Sequence, residues 1–298
     1  MSLRINPDPA PDLLVAIAQN RKAQNTALQE ISTGRKVNQI SDNPAATAEV
    51  VLNHVQSNQD DQYLRNISDL QAQAQSTDAT LSSSVQAVTQ AVSLGIEGAN
   101  GTLSDANRQA IAQQLVGIRN QVLSLANQTY QGNYVFAGTA TSTQPFVLDS
   151  TQPNGIKYNG NTNVNSIGIS PGNTIPINIP GSQIFTNPAG DVLGSLNGMI
   201  AALQNNSGLA AANSNLQQAF SQLTTQRVFY GNTLQQLQST QTFLNSGKLQ
   251  LAQQENTLVG VDLSASITNL EQASTATTAI ISAAGQILST LNLLNFLK

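Results

Sequence analysis

The chain has 298 residues, of which only 9% are charged and 4% aromatic, so Gln, Asn, Ser and Thr must supply most of its polar surface. A formal net charge of −4 provides no basic stripe for nucleic acid or anionic lipid, and the absence of cysteine excludes disulfides and thiolate chemistry. Hydrophobic residues make up 40% and recur at regular periods, which argues against a disordered chain.

Met1 to Pro11 lacks the apolar segment of a secretory signal peptide or an anchor, and nothing further along reads as a membrane span. Pro7, Pro9 and Pro11 permit no helix beyond a first turn. Leu14, Ile17, Arg21, Gln24, Leu28 and Ile31 then follow spacings of three and four, which predicts a helix with a heptad seam. That seam is apolar at its ends and polar in the middle, a poor core for a monomer. Gly34 is expected to close the helix in a left-handed cap.

Asn43-Pro44 reads as the N-cap and first position of a second long helix. Its rungs run from Val51 and Val55 through Ile67, Leu70, Leu81 and Val88 to Val92, ending near Gly95 and Gly98. Ser104 and Asp105 start a third helix, with Ile111, Leu115, Ile118, Val122 and Leu125 on its apolar face.

From Gly132 the period changes to two. Tyr134 and Phe136 alternate with Val135 and Ala137, and are expected in strand core rather than on a ligand platform. Asn154-Gly155 signals a hairpin between Phe146-Val147-Leu148 and Ile156-Lys157-Tyr158. Ile175, Ile177 and Ile179 alternate again, but Pro176 and Pro180 demote that run to an edge strand or a loop-bound strand. A β-rich insert is therefore expected from about Gly132 to Phe185. Leu193, Leu196, Ile200 and Leu203 mark a short helix after it.

The most regular stretch follows. Leu216, Leu223, Tyr230, Leu237, Leu244, Leu251 and Leu258 recur every seven residues, with Phe220 and Leu234 on the intermediate rung. This predicts one helix about 65 Å long, whose stripe needs a partner surface of matching length. Gly260 interrupts it, and Leu263, Ile267, Leu270, Ile281, Ala284, Leu288 and Leu291 form the face of a last helix with Ser274 and Thr277 at its middle rungs. Each end of the chain thus carries a helix of middling seam quality outside a better-packed rod. Both ends are expected to meet in a module that assembly completes.

The expected fold is mainly α, an elongated rod of long antiparallel, coiled-coil-like helices from both termini with a small β-rich insert in the middle of the chain. Residues 1–42 with 259–298 would be the terminal-helix module, 43–131 with 190–258 the helical rod, and 132–189 the β-rich insert.

Chemistry is sparse. The single histidine, His54, lies mid-helix and reads as a surface or seam residue rather than a base, and Asp60-Asp61 lacks the glycine and spaced oxygens of a calcium loop. No phosphate-binding glycine loop, Gly-x-Ser-x-Gly elbow or His-Glu-x-x-His pair is present. No catalytic, metal or cofactor site is expected. The insert is poor in aromatics, so a carbohydrate-reading surface adhesin is the remote alternative.

Ile31-Ser32-Thr33-Gly34-Arg35-Lys36-Val37, followed by Ser41-Asp42-Asn43-Pro44-Ala45-Ala46, resembles the N-terminal signature of the flagellin family. Gly132-Asn133-Tyr134-Val135-Phe136-Ala137-Gly138, then Thr139, Thr141, Pro145 and Phe146, is similar to its hook-associated branch. Asn100-Gly101-Thr102-Leu103-Ser104-Asp105 and Asn178-Ile179-Pro180-Gly181 leading to Phe185 also fit. The opening Met1-Ser2-Leu3-Arg4-Ile5-Asn6 is closer to filament flagellins, and Pro7, Pro9 and Pro11 are unusual for either.

The resemblance implies an extracellular, non-enzymatic structural subunit of the bacterial flagellum, exported unfolded without a cleaved signal peptide and assembled as a homo-oligomeric ring joining hook to filament; a filament-forming flagellin is the alternative. Hook-associated protein 1 would be its partner on the hook side and flagellin on the filament side. The terminal helices would form an inner tube, with the insert projecting outward. Assembly contacts are expected on Leu14, Ile17, Leu28 and Ile31 against Leu263, Ile267, Leu270, Ile281, Leu288 and Leu291, of the same or neighbouring copies. Leu291, Leu293, Leu294, Phe296 and Leu297 are either a fraying helix end or, as the family implies, the docking segment for an export chaperone. For the leucine ladder, the core of a monomeric bundle is the expected role.

Overall fold

The Asn43 side chain accepts the Ala46 amide at 3.0 Å, and Pro44 at the first helical position has no amide to satisfy. The computed structural model, which describes residues 10–290, accordingly starts α2 (Pro44–Gly98) at that Asn-Pro pair. Ser104 caps α3 (Asp105–Ala126) in the same way, accepting from the Asn107 amide at 3.2 Å. The remaining helices are α1 (Ala10–Thr33), α4 (Gly181–Ile184), α5 (Val192–Asn205), α6 (Leu209–Val259) and α7 (Leu263–Thr290). The fold is mainly α with small antiparallel sheets in the middle of the chain.

The chain divides into two compact units, Met1–Asn58 with Gly247–Lys298 and Gln59–Ser246. In the second unit the ladder of α6 behaves as a core. Leu216, Leu223 and Tyr230 join a buried cluster with Leu81 and Val88 of α2, Leu115 of α3 and Leu193 and Leu196 of α5. Leu237 and Leu244 continue in a second cluster with Ile67, Leu70, Ile169 and Ile175. Burial of each such side chain contributes about 1.5–3 kcal/mol, which compensates for a helix far longer than intrinsic propensity sustains. Asp78 adds a two-point pair to Arg227 between α2 and α6, at 2.9 and 3.3 Å. In the other unit the ladder is less covered, and Leu251 and Leu258 are only half-buried.

The strands form three two-stranded antiparallel hairpins: β1 (Thr129–Tyr130) with β2 (Asn133–Tyr134), β3 (Phe146–Leu148) with β4 (Ile156–Tyr158), and β5 (Ser166–Ser170) with β6 (Asn173–Pro176). Three sequence expectations change here.

The alternation over Tyr134 to Ala137 does not make a strand beyond Tyr134; Val135, Phe136 and Ala137 are all buried. Phe136 stacks edge-on against Phe185 at 5.2 Å, and its carbonyl accepts the Gly181 amide at 2.8 Å and the Tyr158 hydroxyl at 2.9 Å. A Cβ at Gly181 would lie 2.6 Å from the Phe146 ring and 2.7 Å from that carbonyl, so only glycine fits beneath it.

The Asn154-Gly155 pair closes the β3–β4 hairpin, with Gly155 at φ 73°, but not as a two-residue turn. The Asp149 carboxylate accepts the Thr151 amide at 2.9 Å and nucleates its own turn, so the connection spans Asp149–Gly155. Finally, Ile175 lies in β6, but β6 ends at Pro176 rather than running on to Ile179, and β5 opposite it was not foreseen. Pro176 is tolerated opposite Ser166 because each strand of a two-stranded sheet has a free edge.

Candidate assembly interface

In the unit formed by the two ends of the chain, the signature stretch after Ile31 is a folded turn. Gly34 takes φ 69°, a conformation natural to glycine, and its amide returns to the Glu30 carbonyl at 2.9 Å. The chain then pairs with the connection between α6 and α7: Lys36 donates to the Val259 carbonyl at 2.8 Å, and Val261 to the Gly34 carbonyl at 3.2 Å. Asp42 accepts the Asn38 and Gln39 amides at 3.0 and 2.8 Å, which holds the loop while Asn43 caps α2. Arg35 reaches Glu255 at 2.7 Å, and His54 contacts the other oxygen of that carboxylate at 3.1 Å. His54 is therefore a surface residue paired to a carboxylate.

This turn places α1 antiparallel to α7, and the seam between them is made of small and polar side chains. Ala27, Ser266 and Ala273 are buried in it, and the Ser266 hydroxyl donates to Glu30 at 2.7 Å. Half-buried Ile17, Asn20, Gln24 and Ile31 on α1, and Leu270, Thr277, Ile280 and Ala284 on α7, continue the same heptad track. Such residues bury little apolar area, so the pair is weakly held as a monomer.

The apolar residues lie elsewhere. Leu14 is 67% exposed and Leu28 52%, and Leu263, Ile267 and Ile281 are about half exposed. The heptad of the sequence meets this seam at alternate rungs: Ile17, Gln24, Ile31, Leu270, Thr277 and Ala284 face it, whereas Leu14, Leu28, Leu263, Ile267 and Ile281 do not. Leu14 and Leu28 flank Arg21 on α1, and Ile267 and Ile281 flank Ser274 on α7, the ends of each stripe lying fourteen positions apart. Helical periodicity puts the two ends of each stripe on one face of their helix. Of the remaining expected contacts, the side chain of Leu288 and all of Leu291, Leu293, Leu294, Phe296 and Leu297 lie outside the described residues.

Each unit also carries apolar surface on the long helices. Val51, Leu52 and Val55 of α2 and Leu249 of α6 are at least half exposed in the unit of the chain ends, and Phe243 is exposed in the other. Among the described residues no group of His, Asp or Glu could hold a metal ion, and no helix is long and apolar enough to cross a membrane.

Residues 9–141 match the model of the bacterial flagellin N-terminal helical region. Over that stretch the chain is similar to bacterial flagellin. It is 29% identical to flagellar hook-associated protein 3 of Escherichia coli over 275 residues, covering 83% of this chain and 85% of that protein. Against flagellar hook-associated protein 3 of Salmonella typhimurium it is 34% identical over 161 residues, 53% of this chain and 49% of the relative. Flagellin D of Vibrio anguillarum is 28% identical over only 118 residues, 39% of this chain and 31% of that one. The fold matches a flagellar hook-associated protein from Vibrio parahaemolyticus with a TM-score of 0.67 and 21% identity, over 74% of this chain and all of the other. The sequence likenesses to hook-associated protein 3 support a structural role in the flagellum.

Proposed function

We propose that this chain is a non-enzymatic junction subunit that joins hook to filament by assembling with further copies of itself into a ring. The observation that carries this reading is the exposed apolar stripe on the α1–α7 pair, whose intrachain seam is built largely of small and polar side chains. A helix pair closed by alanine, serine and glutamate gains little by folding alone, and burial of each exposed leucine or isoleucine against a neighbour would add about 1.5–3 kcal/mol. Ordering of the pair is then coupled to assembly. Leu14, Ile17, Leu28 and Ile31 with Leu263, Ile267, Leu270 and Ile281 would supply the assembly contacts of this module, which forms the inner tube; the Leu288 side chain and Leu291 are proposed to join them from beyond the described residues.

The extent of the matches favours junction over filament. Likeness to hook-associated protein 3 runs through most of the chain, whereas likeness to Flagellin D covers well under half of it. In this reading the subunit is exported through the flagellar channel, meets hook-associated protein 1 on one side and flagellin on the other, and offers Leu293, Leu294, Phe296 and Leu297 to a chaperone before export.

Deleting the gene tests the assignment. Bare hooks by electron microscopy, with flagellin of another gene released into the medium, identify a junction subunit. Bare hooks with no flagellin in the medium mean that the chain is itself the filament.

A further inference from the structure

A cavity of about 440 Å³ opens within the unit Gln59–Ser246, where the β1–β2 hairpin, α2 and the β5–β6 hairpin meet. Its size lies within the roughly 300–1,000 Å³ of small-molecule sites. Tyr130 and Tyr134, one from each strand of the hairpin, line it together with Asp69 and Gln73 of α2, and Ile167 and Ile177 supply apolar wall. Both tyrosines are half-buried; Tyr134 lies across from Thr129 and Tyr130 across from Asn133, so the two side chains leave opposite faces of the hairpin and a ligand would meet the ring of one of them. The aromatics are separated in the chain by a turn, which is why the sequence showed no aromatic platform.

The site is built rather than incidental. Asn178, buried in its wall, is held on both sides: its carbonyl accepts the Asn165 amide at 2.8 Å and its amide donates to the Asn163 carbonyl at 3.3 Å. Gln131 and Gly132 form the two-residue turn of the β1–β2 hairpin, both at positive φ (50° and 81°) as a type I′ turn requires. The Gln131 side chain also lines the cavity, with Nε2 3.5 Å from the Tyr130 hydroxyl.

The chemistry selects among ligands. Asp69 is the one charged side chain lining the cavity among the described residues, so phosphates and other anions are disfavoured. The hairpin strands are two residues long, too short to extend a peptide by backbone pairing. A pyranose fits both halves of the lining: its hydroxyls each donate and accept, matching a carboxylate and several amides, and its C–H face lies against a tyrosine ring. We propose that the cavity lined by Tyr130, Tyr134, Asp69 and Gln73 binds a neutral sugar residue of a glycan.

Saturation-transfer NMR and calorimetry on the full chain with glucose, galactose, N-acetylglucosamine and N-acetylneuraminic acid test this. At least one neutral sugar binds saturably, Tyr134→Ala weakens it about tenfold or more, and Asp69→Asn, on an exposed helix position where folding is unaffected by circular dichroism, weakens it severalfold. Glu97→Gln, exposed elsewhere on α2, leaves binding unchanged. The proposal is overturned if none of the neutral sugars binds at about 50 mM, well above the millimolar range of weak sites. It is equally overturned if N-acetylneuraminic acid binds as well as the neutral sugars, or if Asp69→Asn and Tyr134→Ala bind like the unaltered chain.

Discussion

The Ser266 hydroxyl donates to the Glu30 carboxylate at 2.7 Å, tying the last turn of α1 to the first turn of α7. The geometry also sets the Glu30 charge against the positive end of the α7 dipole, where an anion is favoured. Around this contact, among the described residues, Ala27 and Ala273 are the buried apolar side chains of the seam.

Two substitutions separate the contributions to that seam. Ser266→Ala removes the hydrogen bond and should weaken the pair by about 1 kcal/mol, since Glu30 is only partly buried and water can replace the lost donor. Ala273→Leu forces a large side chain into a tight crossing and should cost about 1–3 kcal/mol. Amide exchange in α1 and α7 should accelerate in both variants, more in the second, while residues 59–246 keep their protection.

The ladder of α6 should divide energetically where its burial changes. Leu237 is fully buried and Leu258 half-buried. Leu237→Ala leaves a cavity and should destabilise the unit Gln59–Ser246 by about 2–5 kcal/mol in denaturant titrations. Leu258→Ala should cost under about 1.5 kcal/mol, because less area leaves contact with protein.

Burial pushes the Tyr230 phenol well above its ordinary value of 10.0. In the unfolded chain it ionises first, so the stability it contributes is complete below about pH 10 and declines as pH rises further, by at most about 1.4 kcal/mol per pH unit. The half-buried Tyr158 is raised as well, chiefly by desolvation, and adds to the same decline. Tyr230→Phe should flatten the alkaline side of the stability profile. At neutral pH it should instead cost about 1–3 kcal/mol, because the buried Ile179 amide loses the hydroxyl to which it donates at 3.3 Å. Urea unfolding at pH 7 and at pH 11 measures both effects.

Long-period features were legible in the chain. Asn43-Pro44, Ser104, Gly34 and the Leu216 ladder each act through local backbone geometry or helix periodicity, and each appears where expected. What depended on contacts distant in sequence was less legible. Phe136 looked like a strand residue because burial and alternation are alike over four residues; its environment is set by Gly181 and Phe185, over forty residues away. The β5 strand, Ser166-Ile167-Gly168-Ile169-Ser170, is short and glycine-interrupted, and gains its identity only from pairing with β6. On α1 and α7, sequence periodicity found Ile17, Gln24, Ile31 and Leu270 of the seam but not Ala27, Ser266 and Ala273, because small side chains carry no apolar signal. Tyr130 and Tyr134 were too few to signal a site, and only the turn at Gln131-Gly132 brings them to one cavity.

The most direct measurement is to express Ile267→Asp/Ile281→Asp in a strain lacking the gene and to look for filaments by electron microscopy, with blotting of the medium. Both side chains are about half exposed in the single chain, so the variant should fold, which circular dichroism and thermal melting check. The predicted result is bare hooks, with the variant and unpolymerised flagellin both in the medium, because a carboxylate cannot be buried unpaired against a neighbouring copy. Filaments of normal length and number on cells carrying a stable variant would contradict the assignment of this stripe to assembly.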